Sequence, residues 1–189
     1  MFERGNLQPG DTVLVQGTGG VALFGRQLAH AHGARMIVIS SSDAKLQRAR
    51  SLGAWQTINY RTHPDWDKVA LEMTGGRGVD HILELGGPAT YDRSIAAIAA
   101  GGYIAQIGVL TGFNSQPNMV PLQFKNASVD GICVGPVVHF DRLNQFMHLH
   151  QLRPVVDQVF AFDAAEQAYA QLSGAGHFGK LVIEMGQAA

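Results

Sequence analysis

The feature that most constrains this chain is a repeated alternation of short apolar runs with amphipathic stretches, each change marked by glycine. Thr12–Gln16, Met36–Ile39, Thr57–Tyr60, Val79–Leu85, Tyr103–Ile107 and Ser128–Val134 read as six short strands. Between them, helices are expected over Val21–Ala31, from Ser42 to Gly53, over Trp66–Met73 and over Ala89–Ala99, with Phe140–His150 after the sixth strand. In the first helix Val21, Phe24, Leu28 and Ala31 share an apolar face. Gly33 and Gly53 stand where helices close, and Ser42 can cap the second. The pairs Gly19-Gly20, Gly75-Gly76, Gly86-Gly87 and Gly101-Gly102 punctuate the pattern without being periodic, which excludes collagen and solenoid repeats. A looser stretch from Gly108 to Asn126 contains Pro117 and Pro121.

Six strands alternating with helices imply an α/β fold with a doubly wound parallel sheet. Parallel neighbours need crossover helices, and right-handed crossovers cover both faces of the sheet. That is why these strands are almost continuously apolar. Beyond Arg153-Pro154 the texture changes to strand (Val155–Phe162), helix (Ala164–Leu172) and strand (Gly179–Met185). Residues 1–153 are therefore expected to form one domain and 154–189 a C-terminal strand–helix–strand tail.

The formal net charge is −1 and the 14 Lys and Arg are scattered, so there is no basic patch to displace counterions from nucleic acid. No apolar run reaches the ~18 residues of a spanning helix, and no basic start precedes an apolar run as in a signal peptide. The single cysteine, Cys133, lies in Ile132-Cys133-Val134 and is expected to be a small buried hydrophobe. Such sparse cysteine suits a reducing cytoplasm.

The segment Gly17-Thr18-Gly19-Gly20-Val21-Ala22 carries the most chemistry. It follows the first strand and opens the first helix, and it fits the dinucleotide fingerprint with alanine in the third small position. The first glycine permits a tight turn, the second lets backbone approach a pyrophosphate, and the third small residue lets helix and strand pack closely. The helix start offers free N–H groups and a positive dipole end to the phosphates. This points to a Rossmann sheet. No Gly-Lys-Ser or Gly-Lys-Thr follows, so a phosphoryl-transfer loop is excluded.

An NAD site places Asp or Glu at the end of the second strand, about 20 residues on, where it binds the ribose hydroxyls. Here that strand ends in Ser40-Ser41-Ser42. Hydroxyls can donate to a 2′-phosphate, Lys45 can add charge one turn later, and Tyr60 at the end of the third strand can donate a phenolic hydrogen bond. NADP(H) is therefore expected in preference to NAD(H).

From these residues a resemblance emerges. Leu7-Gln8-Pro9-Gly10-Asp11, Val13 to Val21, Ser40 to Leu46, Leu52-Gly53-Ala54, Ile58-Asn59-Tyr60, Thr74 to Asp80 and His177 to Ile183 resemble the medium-chain dehydrogenase/reductase superfamily. Within it the match is to the zinc-type alcohol dehydrogenase and quinone oxidoreductase branches, and it covers nearly the whole chain in order. The resemblance implies hydride transfer between NADP(H) and an alcohol, carbonyl or quinone. It implies that Gly86 and Gly87 border the adenosine half of the cofactor, and that Gly108, Val109 and Leu110 lie beside the nicotinamide. It also implies a homodimer through strand 128–134, which would protect an exposed edge.

Full-length relatives carry about 150 further residues before this region as a catalytic domain, by ordinary domain size. That domain supplies the zinc ligands and the substrate pocket, and the tail beyond Pro154 runs back into it. Catalytic zinc needs three protein ligands. His148 and His150 are two apart on a helix, as are His30 and His32, so neither pair can share a metal. His139 does not complete a set; His81 reads as a packed or edge residue, and Asp80 and Glu84 as strand-end polar residues. No catalytic residue and no zinc are expected in this chain. The expectation is thus the cofactor half of an NADP(H)-linked oxidoreductase, with little turnover alone and a separate catalytic-domain chain as a candidate partner. The alternative is a non-catalytic dinucleotide-binding or dimerisation module.

Overall fold

Each of the six apolar runs forms a strand in the computed structural model, which describes residues 2–114 and 116–186. A short helix α1 (Phe2–Gly5) leads into β1 (Thr12–Gln16), α2 (Gly20–Ala31), β2 (Arg35–Ser40), α3 (Asp43–Ser51) and β3 (Gln56–Asn59). The second half follows with α4 (Trp66–Met73), β4 (Val79–Glu84), α5 (Tyr91–Ala97), β5 (Ile98–Gln106), α6 (Val120–Lys125), β6 (Ser128–Gly131) and α7 (Val137–Leu149). The six strands make one sheet in the order β3-β2-β1-β4-β5-β6, with every neighbouring pair parallel. This is the doubly wound Rossmann arrangement expected from the sequence.

Alternate residues of each strand feed two separate cores, as the period of two requires. Val13, Val15, Met36 and Val38 join Ala22, Ala29 and Leu46 on the side of α2 and α3. Leu14, Ile37, Ile39 and Ile82 join Trp66, Ala70 and Ile95 on the side of α4 and α5. The caps also fall where expected: Lys45 N donates to Ser42 Oγ at 3.4 Å, and Gly33 and Gly53 close their helices at φ +90° and +94°.

Helix α2 packs differently from the sequence reading. Its buried residues are Ala22, Leu23, Gly25, Arg26 and Ala29, while Val21 is exposed. At Gly25 the helix lies too close to the sheet for any side chain. A Cβ on Gly25 would come 2.2 Å from Leu83 Cδ1, so glycine makes the contact. The larger apolar face serves secondary packing, with Leu28 lining a cavity beside Phe2, Leu143 and Phe146.

Three further boundaries move. Helix α5 ends at Ala97 because Ile98 turns to extended backbone (φ −67°, ψ 141°) and pairs with Val79, so Gly101-Gly102 lies inside β5. The loose stretch contains α6, with Pro121 in its first turn, where a missing N–H costs nothing. Strand β6 stops at Gly131; Cys133 lies outside the sheet and is exposed rather than buried.

The tail forms β7 (Val156–Ala161), a 3-10 turn (Phe162–Ala164), α8 (Ala165–Ser173) and β8 (Lys180–Glu184), and β7 pairs with β8 in a separate two-stranded parallel sheet. It is anchored on the first core by Phe178, 1% exposed, whose ring lies 4.1 Å from the Arg48 guanidinium. Arg48 also pairs with Asp157 at 2.9 Å. Burial pushes the Asp157 carboxyl up, but Phe178 N–H and Arg48 outweigh it and hold the acid below its usual range.

Candidate dinucleotide site

The strand order reverses between β1 and β4, and in open parallel sheets the crevice outside the C-terminal ends at that point is where ligands bind. The chain leaves β1 through Gly17, at φ +84°, whose N–H donates to Ile39 O at 2.7 Å. Gly19 caps α2 with no side-chain hydrogen bond, and the first turn of this 12-residue helix has no acid. Its N–H groups are therefore free to meet an external anion. At Gly17 and Gly19 a Cβ would meet nothing within 4 Å, so protein packing does not require glycine there. The space left open suits a ligand that approaches backbone. Ala22, wholly buried, holds the helix against the sheet as the fingerprint requires.

The tail contributes a residue that sequence reasoning missed. Gly179 N donates to Thr18 O at 2.9 Å, laying the start of β8 along the turn. Lys180 follows, and its Cε and Nζ lie 2.7 Å from where a Gly20 Cβ would be. An ammonium thus sits against the positive end of α2, an arrangement that an intervening anion would stabilise. Lys180 lies in the quoted His177–Ile183 run, but nothing local ties it to a turn 160 residues earlier. It lines a cavity of about 440 Å³ together with Val21, Tyr169 and His177.

At the end of β2, Ser40 is buried and its Oγ accepts from Ser42 N at 3.4 Å. Ser42 Oγ serves as the cap of α3, and Ser41 lies between them. Tyr60 N donates to Ser40 O at 3.1 Å, which brings the exposed Tyr60 beside the serines. Lys45 Nζ donates to Ala175 O at 3.0 Å. Asp43, the carboxylate nearest in sequence, accepts from Asn59 Nδ2 at 2.8 Å.

The loops after β4 and β5 are stapled together. Thr111 N and Oγ1 both donate to Gly86 O at 2.9 Å, and Thr111 Oγ1 accepts from Ala89 N at 3.0 Å. The approach leaves no room for side chains: a Cβ would lie 2.9 Å from Val109 Cα at Gly87, and 2.2 Å from Leu85 O at Gly108. Val109 and Leu110 project into the open, Leu110 at 86% exposure.

Beneath these loops lies a second feature that the sequence did not disclose. Glu84 is a strand-end residue, as read, but it is 0% exposed and forms a polar cluster with Gln16, Thr90 and Ser94.

His81 lies away from the crevice and is buried; Asp11 Oδ2 is 3.1 Å from its Nε2. His30, His148 and His150 are exposed. Among the described residues no group of three or more His, Cys, Asp or Glu could hold a metal ion, so the donor set does not fit zinc. None of the described helices is long and apolar enough to cross a membrane.

Comparison with known proteins agrees with this geometry. Residues 20–151 match the family model described as zinc-binding dehydrogenase. A zinc-type alcohol dehydrogenase-like protein of Schizosaccharomyces pombe is 42% identical over 95% of this chain and 53% of its own length. A solved NAD-dependent alcohol dehydrogenase superposes with a TM-score of 0.88 at 34% identity, over 97% of this chain and 54% of that one. A mycobacterial structure complexed with NADPH gives 0.80 at 25% identity, over 97% and 60%. The chain spans about half the length of the relatives it matches.

Proposed function

Because the chain belongs to the zinc-binding dehydrogenase family, within the medium-chain dehydrogenase/reductase superfamily, we propose that it binds NADP(H) as the cofactor half of an oxidoreductase. The observation that carries the reading is the pairing of an uncapped α2 N-terminus with the Lys180 ammonium across the open Gly17–Gly20 backbone. Lys180 lies over Gly20 and the helix end faces the same side, while the space beside Gly17 and Gly19 is open for a pyrophosphate.

The preference for NADP(H) rests on this chain's own residues, since neighbours are named for either cofactor. The end of β2 carries Ser41 and Ser42 beside the buried Ser40, Asp43 is held by Asn59, and Tyr60 and Lys45, whose Nζ donates to Ala175 O, would turn to a 2′-phosphate bound there. Gly86 and Gly87 border the adenosine side; Gly108, Val109 and Leu110 border the nicotinamide.

The cofactor supplies hydride for an alcohol, carbonyl or quinone, while these residues bind and orient it. A catalytic-domain chain or segment would supply the substrate pocket. Strand β6 ends the sheet order and offers a free edge for pairing with a second copy. A cytoplasmic setting fits such chemistry.

Titration with NADPH and NADH, followed by nicotinamide emission, tests the reading. Tryptophan emission is poorly suited, because Trp55 stacks with Arg35 at the start of β2, opposite the crevice. NADPH is expected to bind at least about tenfold more tightly than NADH, a difference of about 1.4 kcal/mol. Equal affinities would overturn the preference, and no binding of either would overturn the site.

A further inference from the structure

A carboxylate without a cation partner is buried at the floor of the crevice. Glu84 ends β4, is 0% exposed, and is in none of the salt bridges found among the described residues. A charge in that position is strongly disfavoured unless neutral donors surround it. Five do. Oε2 accepts from Gln16 Nε2 at 2.7 Å and from Ser94 Oγ, and Oε1 accepts from Gly86 N and Gly87 N at 3.0 Å and from Thr90 Oγ1 at 2.6 Å.

Gln16 completes the frame. Its Oε1 accepts from Leu85 N at 3.0 Å and from Gly86 N at 2.7 Å, and the next residue is Gly17, where the phosphate turn begins. The backbone of Glu84 holds the other loop, its carbonyl accepting from Ile107 N at 2.9 Å and Gly108 N at 3.0 Å. Thr111 then staples that loop back onto Gly86 O. One residue therefore ties together the end of β1, the loop 85–90 and the loop 107–112.

We infer that Glu84 is a positioning residue for the dinucleotide: its carboxylate ties the 85–90 loop to the root of the phosphate turn, and its backbone carbonyl together with Thr111 holds the 107–112 loop on that frame. This rests on the proposed cofactor site. The need for a carboxylate follows from the donor count. Each carboxylate oxygen faces at least one N–H that can only donate, Gln16 Nε2 on Oε2 and Gly86 N and Gly87 N on Oε1, so an amide would turn its NH2 against one of them either way round.

Two variants test this in the full chain. Glu84→Gln keeps the shape and breaks the acceptor set; Thr111→Val removes both hydroxyl bonds of the staple at an exposed position, keeps the backbone bond to Gly86 O, and leaves Glu84 intact. Each is titrated with NADPH and with 2′,5′-ADP, which keeps the adenosine but lacks the nicotinamide that the 107–112 loop would border. In Glu84→Gln the affinities for NADPH and for 2′,5′-ADP are both expected to fall, NADPH by about tenfold. In Thr111→Val NADPH affinity is expected to fall at least about threefold, with 2′,5′-ADP changed by no more than about twofold. In both variants nicotinamide emission of the complex moves toward that of free NADPH. Should Glu84→Gln not fold, Thr111→Val decides by its own criteria. Wild-type NADPH affinity in the folded variants overturns the inference, as does an equal fall for both ligands in Thr111→Val. Failure of the wild-type chain to bind NADPH would instead overturn the proposed function on which it rests.

Discussion

Substituting Gly19→Ala separates what the phosphate turn does for the fold from what it does for a ligand. Gly19 has φ −78° and ψ −176°, a conformation open to alanine, and its added methyl would meet nothing within 4 Å. At a helix N-cap, alanine is poorer than glycine by roughly 0.5–1 kcal/mol. Against that, losing a glycine from the unfolded chain stabilises by roughly 0.4–1 kcal/mol. The two offset, so the thermal midpoint should move by no more than about 2 °C in a domain of this size.

The ligand, by contrast, loses the close backbone approach that the second glycine provides. NADPH affinity should fall at least tenfold, about 1.4 kcal/mol. Circular-dichroism melting and nicotinamide-emission titration measure the two effects separately. Gly25→Ala is the converse control. Its methyl would lie 2.2 Å from Leu83 Cδ1, and the overpacking should destabilise by about 1–3 kcal/mol while folded protein keeps its affinity. A Gly19→Ala chain that melts normally and binds NADPH like wild type would refute the phosphate-cradle reasoning. A fall of 5 °C or more would show that packing, not a ligand, demands glycine there.

Ser40→Asp places a carboxylate at the end of β2, and the NADH-to-NADPH affinity ratio should rise by about tenfold or more, read by paired titrations. Lys125 Nζ donates to the carbonyls of Ala96 and Ile98 at 2.7 Å and Ile95 at 3.1 Å, so Lys125→Met should cost about 1–3 kcal/mol in urea unfolding. Burial lowers the His81 pKa below 6.5, against the opposing pull of Asp11. The unfolded chain therefore binds that proton more readily than the native one. The His81 contribution is fully present above pH 6.5 and is lost as pH falls toward and through the folded value. Urea midpoints between pH 7.5 and 5 should decline, and His81→Gln should flatten that slope.

Much of the fold was legible because it rests on local periodicity. Apolar runs flanked by glycine located every strand of the large sheet, and Ser42, Gly33 and Gly53 marked helix ends through chemistry confined to one turn. The misreadings arise where tertiary contact overrides local pattern. On α2 the hydrophobic side chains Val21, Phe24 and Leu28 suggested the core face, yet the helix buries Ala22, Leu23, Gly25, Arg26 and Ala29 instead, with Gly25 at its close approach to Leu83 of β4. The β6 run looked three residues longer than the paired strand, because Ile132, Cys133 and Val134 continue an apolar texture after pairing with β5 has ended.

The candidate site divides along the same line. The Gly17–Ala22 turn and the serines after β2 could be found because all their determinants are adjacent in the chain. Even there, sequence alone does not separate two kinds of glycine: Gly17 and Gly19 face open space, whereas Gly25 and Gly108 are small because other atoms occupy the room. Only the former suggest a ligand. Glu84 and Lys180 were harder still, since their roles depend on partners far along the chain. Gln16 and Glu84 are 68 residues apart, and Lys180 reaches a glycine at the opposite end of the chain. A strand-end acid in sequence is expected to be solvated. Its total burial among donors is created by the parallel pairing of β1 with β4, the same pairing that opens the crevice. The topology that makes the binding site therefore also makes the residue that holds it in shape.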